Sequence, residues 1–115
     1  MSRSMTAAEL ATWYALRQGA VSARPLAEIA FSEGLSRRAV EQAIEGLRAD
    51  LHEPICANAD GYFEAATVEE LEAYIAAFDR RLASMWRTRR GLKAARRRMQ
   101  EEATGTTQIK GRWAA

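Results

Sequence analysis

The sequence has few of the residues that disulfides and soft-metal sites need, with one cysteine and one histidine among 115 residues. A single cysteine cannot form an internal disulfide, so no oxidising compartment is required and we expect a cytoplasmic protein. His52 has no cysteine or second histidine at a ligand spacing, and Cys56 is more typical of a small buried residue than of a nucleophile. We therefore predict no metal site and no cofactor.

Long apolar runs are also missing. None approaches the ~20 residues that a membrane helix needs, and the N-terminus lacks a basic region followed by an apolar one. The sequence contains no carboxylate pair, Gly-rich phosphate loop or nucleophile elbow, so no enzyme and no catalytic residue are expected. Its 48% apolar residues are enough for one folded domain with an appendage.

Acidic residues are absent between residues 80 and 98, where cations are dense. Residues 1–66 hold six arginines and nine acids, a net charge of −3, whereas residues 67–115 hold eleven cations and six acids, a net charge of +5. Nine like charges in one helical stretch repel one another, and a polyanionic partner would relieve that repulsion. The nine cations are Arg80, Arg81, Arg87, Arg89, Arg90, Lys93, Arg96, Arg97 and Arg98.

Two short helical patterns meet at a tight turn within residues 26–48. Gly34 can take the positive φ that ends the first helix, and the Ser36 hydroxyl can cap the second. The pattern predicts a helix-turn-helix, although an αα-corner of any helical bundle would have the same periodicity. The apolar residues share one face of each helix: Leu26, Ile29 and Ala30 in the first, and Val40, Ala43, Ile44 and Leu47 in the second.

The second helix of this pair should run from Ser36 to about Asp50, with its first turn pointing outward. Arginines in that turn could contact guanine or phosphate, and a glutamine one turn further on could contact adenine. The ordinary alternative is a solvated helix face. The polar side displays Arg37, Arg38, Glu41, Gln42, Glu45 and Arg48.

The segment before this pair begins with a capping box. The T-x-x-E pattern at Thr6 predicts a first helix that starts there and stops at Gly19. Residues 21–23 are bounded by glycine and proline, which suits a small strand or an extended link. The residues expected to face inward are Leu10, Trp13 and either Tyr14 or Leu16.

A hairpin pattern follows the second helix of the pair. Pro54 ends the helical pattern, and Asp60-Gly61 lies between two extended runs. Asp-Gly is a strong hairpin signal because both residues tolerate the left-handed conformation of a tight turn. We therefore predict a two-stranded wing that completes a domain over residues 1–66.

A second capping-box pattern begins at Thr67 and predicts a long helix over residues 67–102. Its first part must pack on the domain or on a partner, and the four-three spacing of its apolar residues allows a homodimer between Leu71 and Trp86. Its second part is predicted to be a basic arm, and residues 103–115 a flexible tail. The apolar stripe comprises Leu71, Tyr74, Ile75, Phe78, Leu82, Met85 and Trp86.

The predicted elements follow one another in the order helix, helix, turn, helix and hairpin. The motif residues within this order are Ser36-Arg37-Arg38-Ala39-Val40, Ile44, Leu47-Arg48, Pro54-Ile55 and Gly61-Tyr62. This combination resembles a winged helix-turn-helix, in particular the DNA-binding module of the biotin-ligase repressors and small winged-helix proteins of bacteriophages and other mobile elements. The resemblance covers about residues 6–66 and implies a mainly α (α+β) fold that binds double-stranded DNA. It implies that Arg37, Arg38 and Gln42 lie at the major groove and that the turn at residues 58–61 lies near a minor groove.

Two functions from different classes fit these features. The first is a sequence-specific double-stranded DNA-binding protein, a phage or mobile-element transcriptional regulator whose basic arm adds phosphate contacts. The alternative is a protein-interaction or assembly module, which a large exposed apolar patch would favour; RNA binding is a minor third option. The predicted DNA-contacting residues are Ser36, Arg37, Arg38, Gln42, Asn58, Arg87, Arg89, Arg90, Lys93, Arg96, Arg97 and Arg98.

Overall fold

The structure is a computed structural model that describes residues 3–104. These residues form four α-helices and one two-stranded antiparallel sheet, which is a mainly helical α+β architecture, and none of the helices is long and apolar enough to cross a membrane. The chain divides into two compact units, Met1–Ala76 and Ala77–Ala115. Most of the predicted tail, residues 105–115, lies outside the described residues. The elements are α1 (Ala7–Ala15), α2 (Leu26–Glu33), α3 (Arg37–Ala49), β1 (Ile55–Asn58), β2 (Gly61–Glu64) and α4 (Val68–Ala103).

The core of the first unit is built from the apolar faces that the helical spacing predicts. Ala30 of α2 is buried in this core, and Ile29, Val40 and Leu47 are fully buried. Each such aliphatic side chain contributes about 1.5 to 3 kcal/mol on burial, which stabilises helices too short to persist alone. The buried apolar residues are Ala15, Leu16, Ile29, Ala30, Val40, Ala43, Ile44, Leu47, Ile55, Cys56 and Phe63.

The turn between α2 and α3 has the predicted chemistry. Gly34 is left-handed, with φ of 67°, and ends α2. The Leu35 N–H donates to the carbonyl of Ala30 at 2.9 Å, and the Ser36 hydroxyl accepts from the Ala39 N–H at 3.0 Å. These bonds satisfy backbone groups that the two helix ends would otherwise leave without partners.

The first helix starts at its predicted capping box but ends at Ala15, so the predicted end at Gly19 is wrong. The chain leaves the helix because its next residues pair with β2. The Glu64 N–H donates to the Arg17 carbonyl, and the Gly19 N–H donates to the Glu64 carbonyl, each at 2.9 Å. A pairing with a strand more than 40 residues away leaves no local signal in the sequence of α1.

The segment predicted as a strand or link at residues 21–23 is instead a short 3-10 helix, Ala20–Ser22. Extended pairing resumes just after it. Arg24 and Tyr62 exchange two backbone hydrogen bonds of 2.9 and 2.8 Å, so β2 is paired along both of its edges. The hairpin is therefore joined to the helical part of the unit by main-chain bonds as well as by packing.

The inward face of α1 differs from the prediction. Leu10 is 45% exposed, so its assignment to the core is wrong. Of the two alternatives for the next inward position, Leu16 is buried and Tyr14 is exposed. Trp13 is half-buried, and its indole N–H donates to the Glu53 carboxylate at 3.0 Å.

Two polar residues, Thr12 and Glu9, occupy the inward side of α1 instead. The Glu9 carboxylate accepts two hydrogen bonds from the Arg3 guanidinium, both 2.7 Å long, and one from the Thr6 N–H at 2.9 Å. The Arg3 guanidinium and then the Thr6 backbone lower the pKa of Glu9 from 4.5 to about 2. Gly46 of α3 faces this pair, and a Cβ at that position would overlap the Glu9 carboxylate.

Glu9 should make the stability of the protein depend on pH. Because its folded pKa of about 2 lies below the ordinary 4.5, its contribution is complete above about pH 4.5 and is lost as the pH falls toward 2. We expect Glu9→Gln to lower the free energy of unfolding at pH 7 and to differ much less from the unmodified protein at pH 2. Urea denaturation at the two pH values measures this. An equal loss at both would show that the Glu9 charge does not contribute.

The hairpin forms where it was predicted, but its turn is different. Asn58 pairs with Gly61, so the two loop residues are Ala59 and Asp60 rather than Asp60-Gly61. The Asn58 side-chain oxygen accepts from the Asp60 N–H at 2.8 Å, which stabilises the turn without left-handed residues inside it. Gly61 has φ of 134°, and a Cβ there would overlap the backbone of Arg24, so glycine permits the close pairing of β2.

The fourth helix lies within one residue of its predicted bounds at each end. Of the two hydrogen bonds in its predicted capping box, only the one accepted by the Thr67 side chain is present in the described part of the chain. The Thr67 hydroxyl accepts from the Glu70 N–H at 3.1 Å. The Glu70 carboxylate accepts from the N–H of Ala66 at 2.8 Å and from that of Ala20 at 3.1 Å, and these bonds lower its pKa. Glu70 thus fixes the start of α4 to the short 3-10 helix.

Candidate nucleic-acid interface

The outward face of α3 presents two arginines in its first turn. Arg37 and Arg38 are exposed, and neither has an ion pair or a hydrogen bond with any residue in the described part of the chain. Arg38 and Gln42 line one shallow depression together with Glu41 and Glu45. The face therefore offers donors for an anion or a base edge at its start and two carboxylates that oppose phosphate further along.

Two other predicted contact residues have structural bonds. The Ser36 hydroxyl accepts from the Ala39 N–H as the cap of α3, and its own proton remains available for donation. The Asn58 amide donates to the Ala20 carbonyl at 3.2 Å while its oxygen accepts within the hairpin turn. Asn58 borders a different depression from the one at Arg38. The structure thus brings Arg38 and Gln42 together but holds the Asn58 side chain in the hairpin turn.

Arg48 is a positioning residue that the sequence pattern did not identify, because its spacing assigned it to the solvated side of α3. Its Nε donates to the Ile55 carbonyl at 2.9 Å, and its guanidinium also donates to the Tyr74 hydroxyl at 3.1 Å. The guanidinium carbon lies 5.7 Å from the ring centroid of Tyr62 and 5.2 Å from that of Tyr74. Arg48 therefore holds the hairpin and the start of α4 against α3, within the first unit.

The predicted arm cations lie on α4 in the second unit, and all of them are exposed. The Arg89 guanidinium lies 5.3 Å from the centroid of the Trp86 ring. Arg98 lies 3.9 Å from the Glu102 carboxylate, and a largely exposed pair of this kind contributes little to stability. These exposed cations are Arg87, Arg89, Arg90, Lys93, Arg96, Arg97 and Arg98.

The chain matches no protein-family model, no curated protein and no solved structure. The likeness to winged helix-turn-helix proteins therefore rests on the motif residues within residues 6–66.

The apolar stripe of α4 is largely exposed. Ile75, Phe78 and Leu82 are 41 to 49% exposed, whereas Met85 and Trp86 are 66% and 55% exposed. Exposed apolar side chains that lie close together can mark an interaction surface. The stripe is thus a second candidate interaction surface, chemically different from the face of α3.

Cys56 is buried on β1, as the sequence predicts. Burial raises the pKa of its thiol, which is the opposite of what a reactive thiolate needs. His52 is exposed and has a left-handed backbone with φ of 59°. Among residues 3–104, no group of three or more His, Cys, Asp or Glu side chains is arranged to hold a metal ion.

Proposed function

We propose that the protein is a sequence-specific double-stranded DNA-binding protein whose first unit is a winged helix-turn-helix and whose α3 is the recognition helix. The observation that carries the proposal is the exposed pair Arg37 and Arg38, which have no partners in the described part of the chain. A guanidinium can bond to both O6 and N7 of guanine, and an amide such as that of Gln42 to N6 and N7 of adenine. The first turn of a recognition helix is where such contacts occur.

The hairpin β1–β2 is the wing in this proposal. Arg48 supports that role because it bonds to the Ile55 carbonyl and stacks on Tyr62, which fixes the hairpin relative to α3. A fixed wing can contact the DNA backbone while α3 occupies the major groove, since phosphate contacts set the register in which bases are read. The contact would come from the hairpin backbone as well as from exposed side chains, because the Asn58 amide is already bonded.

The basic arm supplies most of the affinity in this proposal. Residues 1–66 carry a net charge of −3, so that region is not attracted to phosphate as a whole. The seven exposed cations at residues 87–98 can each neutralise a phosphate and release a counterion. We further propose that the protein is cytoplasmic and regulates transcription in a phage or another mobile element, which is the role suggested by the sequence resemblance.

A gel-shift series with random and genomic duplexes across salt concentrations tests the proposal. We expect a shift that weakens steeply as salt rises, with some genomic duplexes retained at salt concentrations that release random ones. Duplex RNA of the same length is the control for the general attraction of a basic helix to a polyanion. The absence of any shift at low salt would refute the proposal.

The exposed stripe on α4 favours a second candidate, a protein-interaction or assembly module. In that function the winged helix and α4 would bind a partner protein, and the cations of the arm would pair with its acids. The two functions differ in the gel-shift series, because an assembly module would bind genomic and random duplexes equally or not at all.

A further inference from the structure

Four buried residues of α3 mark the direction of the core, and the opposite direction is the one that can enter a DNA groove. At about 100° per residue, the exposed polar side chains of Arg38, Gln42 and Glu45 lie within about 30° of that opposite direction. We call these three residues the outward line of α3. The four buried residues are Val40, Ala43, Ile44 and Leu47.

The two flanks of α3 are occupied by the rest of the first unit. On one flank, the Arg48 guanidinium donates to the Ile55 carbonyl of the hairpin. On the other flank, Gly46 faces the Glu9 carboxylate of α1. The outward line runs between these contacts, and its three side chains have no hydrogen bond or ion pair in the described part of the chain. It is therefore the side of α3 that is left free for a ligand.

The outward line is long enough to reach several base pairs. Arg38 and Glu45 are seven residues apart, which is about 10 Å at the rise of about 1.5 Å per residue of an α-helix. Three base-pair steps of about 3.4 Å each cover the same distance. The two ends of the line would therefore meet different base pairs, with Gln42 between them.

Glu45 differs from the other two residues of the line because a carboxylate accepts hydrogen bonds and donates none. Phosphate oxygens repel it, and so do the acceptors that guanine and thymine present in the major groove. Adenine offers an N6 donor there but places the N7 acceptor beside it, whereas cytosine offers only its N4 donor. Cytosine is thus the base whose edge best fits this side chain.

We propose that Glu45 is a specificity-determining residue that selects a G·C pair by accepting a hydrogen bond from the N4 amino group of its cytosine. That pair lies about three base-pair steps from the guanine that Arg38 contacts. The preferred site then has a G·C pair at each end of the outward line and an adenine for Gln42 between them. The inference rests on the proposed function, since it requires α3 to occupy the major groove.

Glu45→Gln tests this role because glutamine has nearly the same shape, while its amide both donates and accepts and so suits N6 and N7 of adenine. The matched control is Glu41→Gln, which removes the same charge from the same helix. At about 100° per residue, Glu41 lies about 70° away from the direction opposite the core, toward the wall of a groove rather than its floor. Both glutamates are exposed, so the melting temperature should change little in either variant.

Enrichment of duplexes from a randomised pool by the three full-length chains is the measurement. The unmodified chain should enrich a motif with two G·C pairs about three steps apart. Glu45→Gln should enrich a motif in which one of these pairs is replaced by A·T, and Glu41→Gln should enrich the original motif. In direct competition, the unmodified chain should prefer G·C over A·T at the changed position by at least about 5-fold, and Glu45→Gln should lose or reverse that preference.

The same motif from Glu45→Gln and from the unmodified chain would overturn the role of Glu45 but leave the proposed function intact. An equal loss of the G·C preference in Glu41→Gln would also overturn it, because the effect would then come from charge and not from a contact with one base. Failure of the unmodified chain to enrich any motif would overturn the proposed function together with this inference. The outcomes of the two are therefore distinguishable.

Discussion

Truncation after Trp86 is expected to weaken binding to duplex DNA and to flatten its dependence on salt. The deletion removes the seven exposed cations at residues 87–98 together with Lys110 and Arg112, and the remaining chain, residues 1–86, holds eight arginines and thirteen acids, a net charge of −5. If all seven contact phosphates, the slope of log K against log salt should become shallower by about 6, since each contact contributes about 0.9. Fluorescence anisotropy with a labelled duplex at several salt concentrations measures both quantities.

A chain truncated after Thr104 is the matched control. It keeps all of α4 and removes only two cations, Lys110 and Arg112. Its slope should therefore change by at most about 2 by the same counterion reasoning. A slope that is the same in the chain truncated after Trp86 and in the full chain would show that the arm does not contact phosphate.

Arg38→Ala is expected to weaken binding to a preferred site by about 1 to 3 kcal/mol, or roughly 5- to 150-fold, if the guanidinium contacts a base. The loss on random duplexes should be much smaller, because the contact depends on the base that is present. Competition between a preferred and a random duplex of the same length measures the difference. The melting temperature should change little because Arg38 is exposed.

Arg17→Ala is the matched control for this substitution. Arg17 is also exposed and lies in the first unit, so its replacement removes the same charge away from α3. It should weaken binding to both duplexes slightly and equally. If Arg38→Ala behaved the same way, Arg38 would be a phosphate contact or a solvated residue.

The sequence predicted those elements of the fold that depend on local chemistry. Gly34 and Ser36 determine the turn before α3 through their own backbone and side-chain bonds, and α4 begins at a cap that is likewise local. The early end of α1 could not be predicted because it depends on the pairing of Arg17 and Gly19 with β2. A contact between distant segments has no signal in the periodicity of either one.

The same limit applies to polar residues inside the fold. Glu9 and Arg48 have polar side chains, so hydrophobic spacing assigns them to solvent. Both are buried or half-buried because a partner elsewhere in the chain compensates for their charge or hydrogen bonds. The exposure of Arg37 and Arg38, in contrast, could be predicted because it follows from the opposite apolar face of the same helix.

Selection of bound duplexes from a randomised pool tests the central claim, that α3 reads DNA sequence, most directly. The full chain should enrich a short common motif over successive rounds. A chain with Arg37→Ala and Arg38→Ala should still retain DNA through its arm but should enrich that motif weakly or not at all. Retention of DNA by the full chain without enrichment of any motif would contradict the claim and would leave the protein a non-specific polyanion binder.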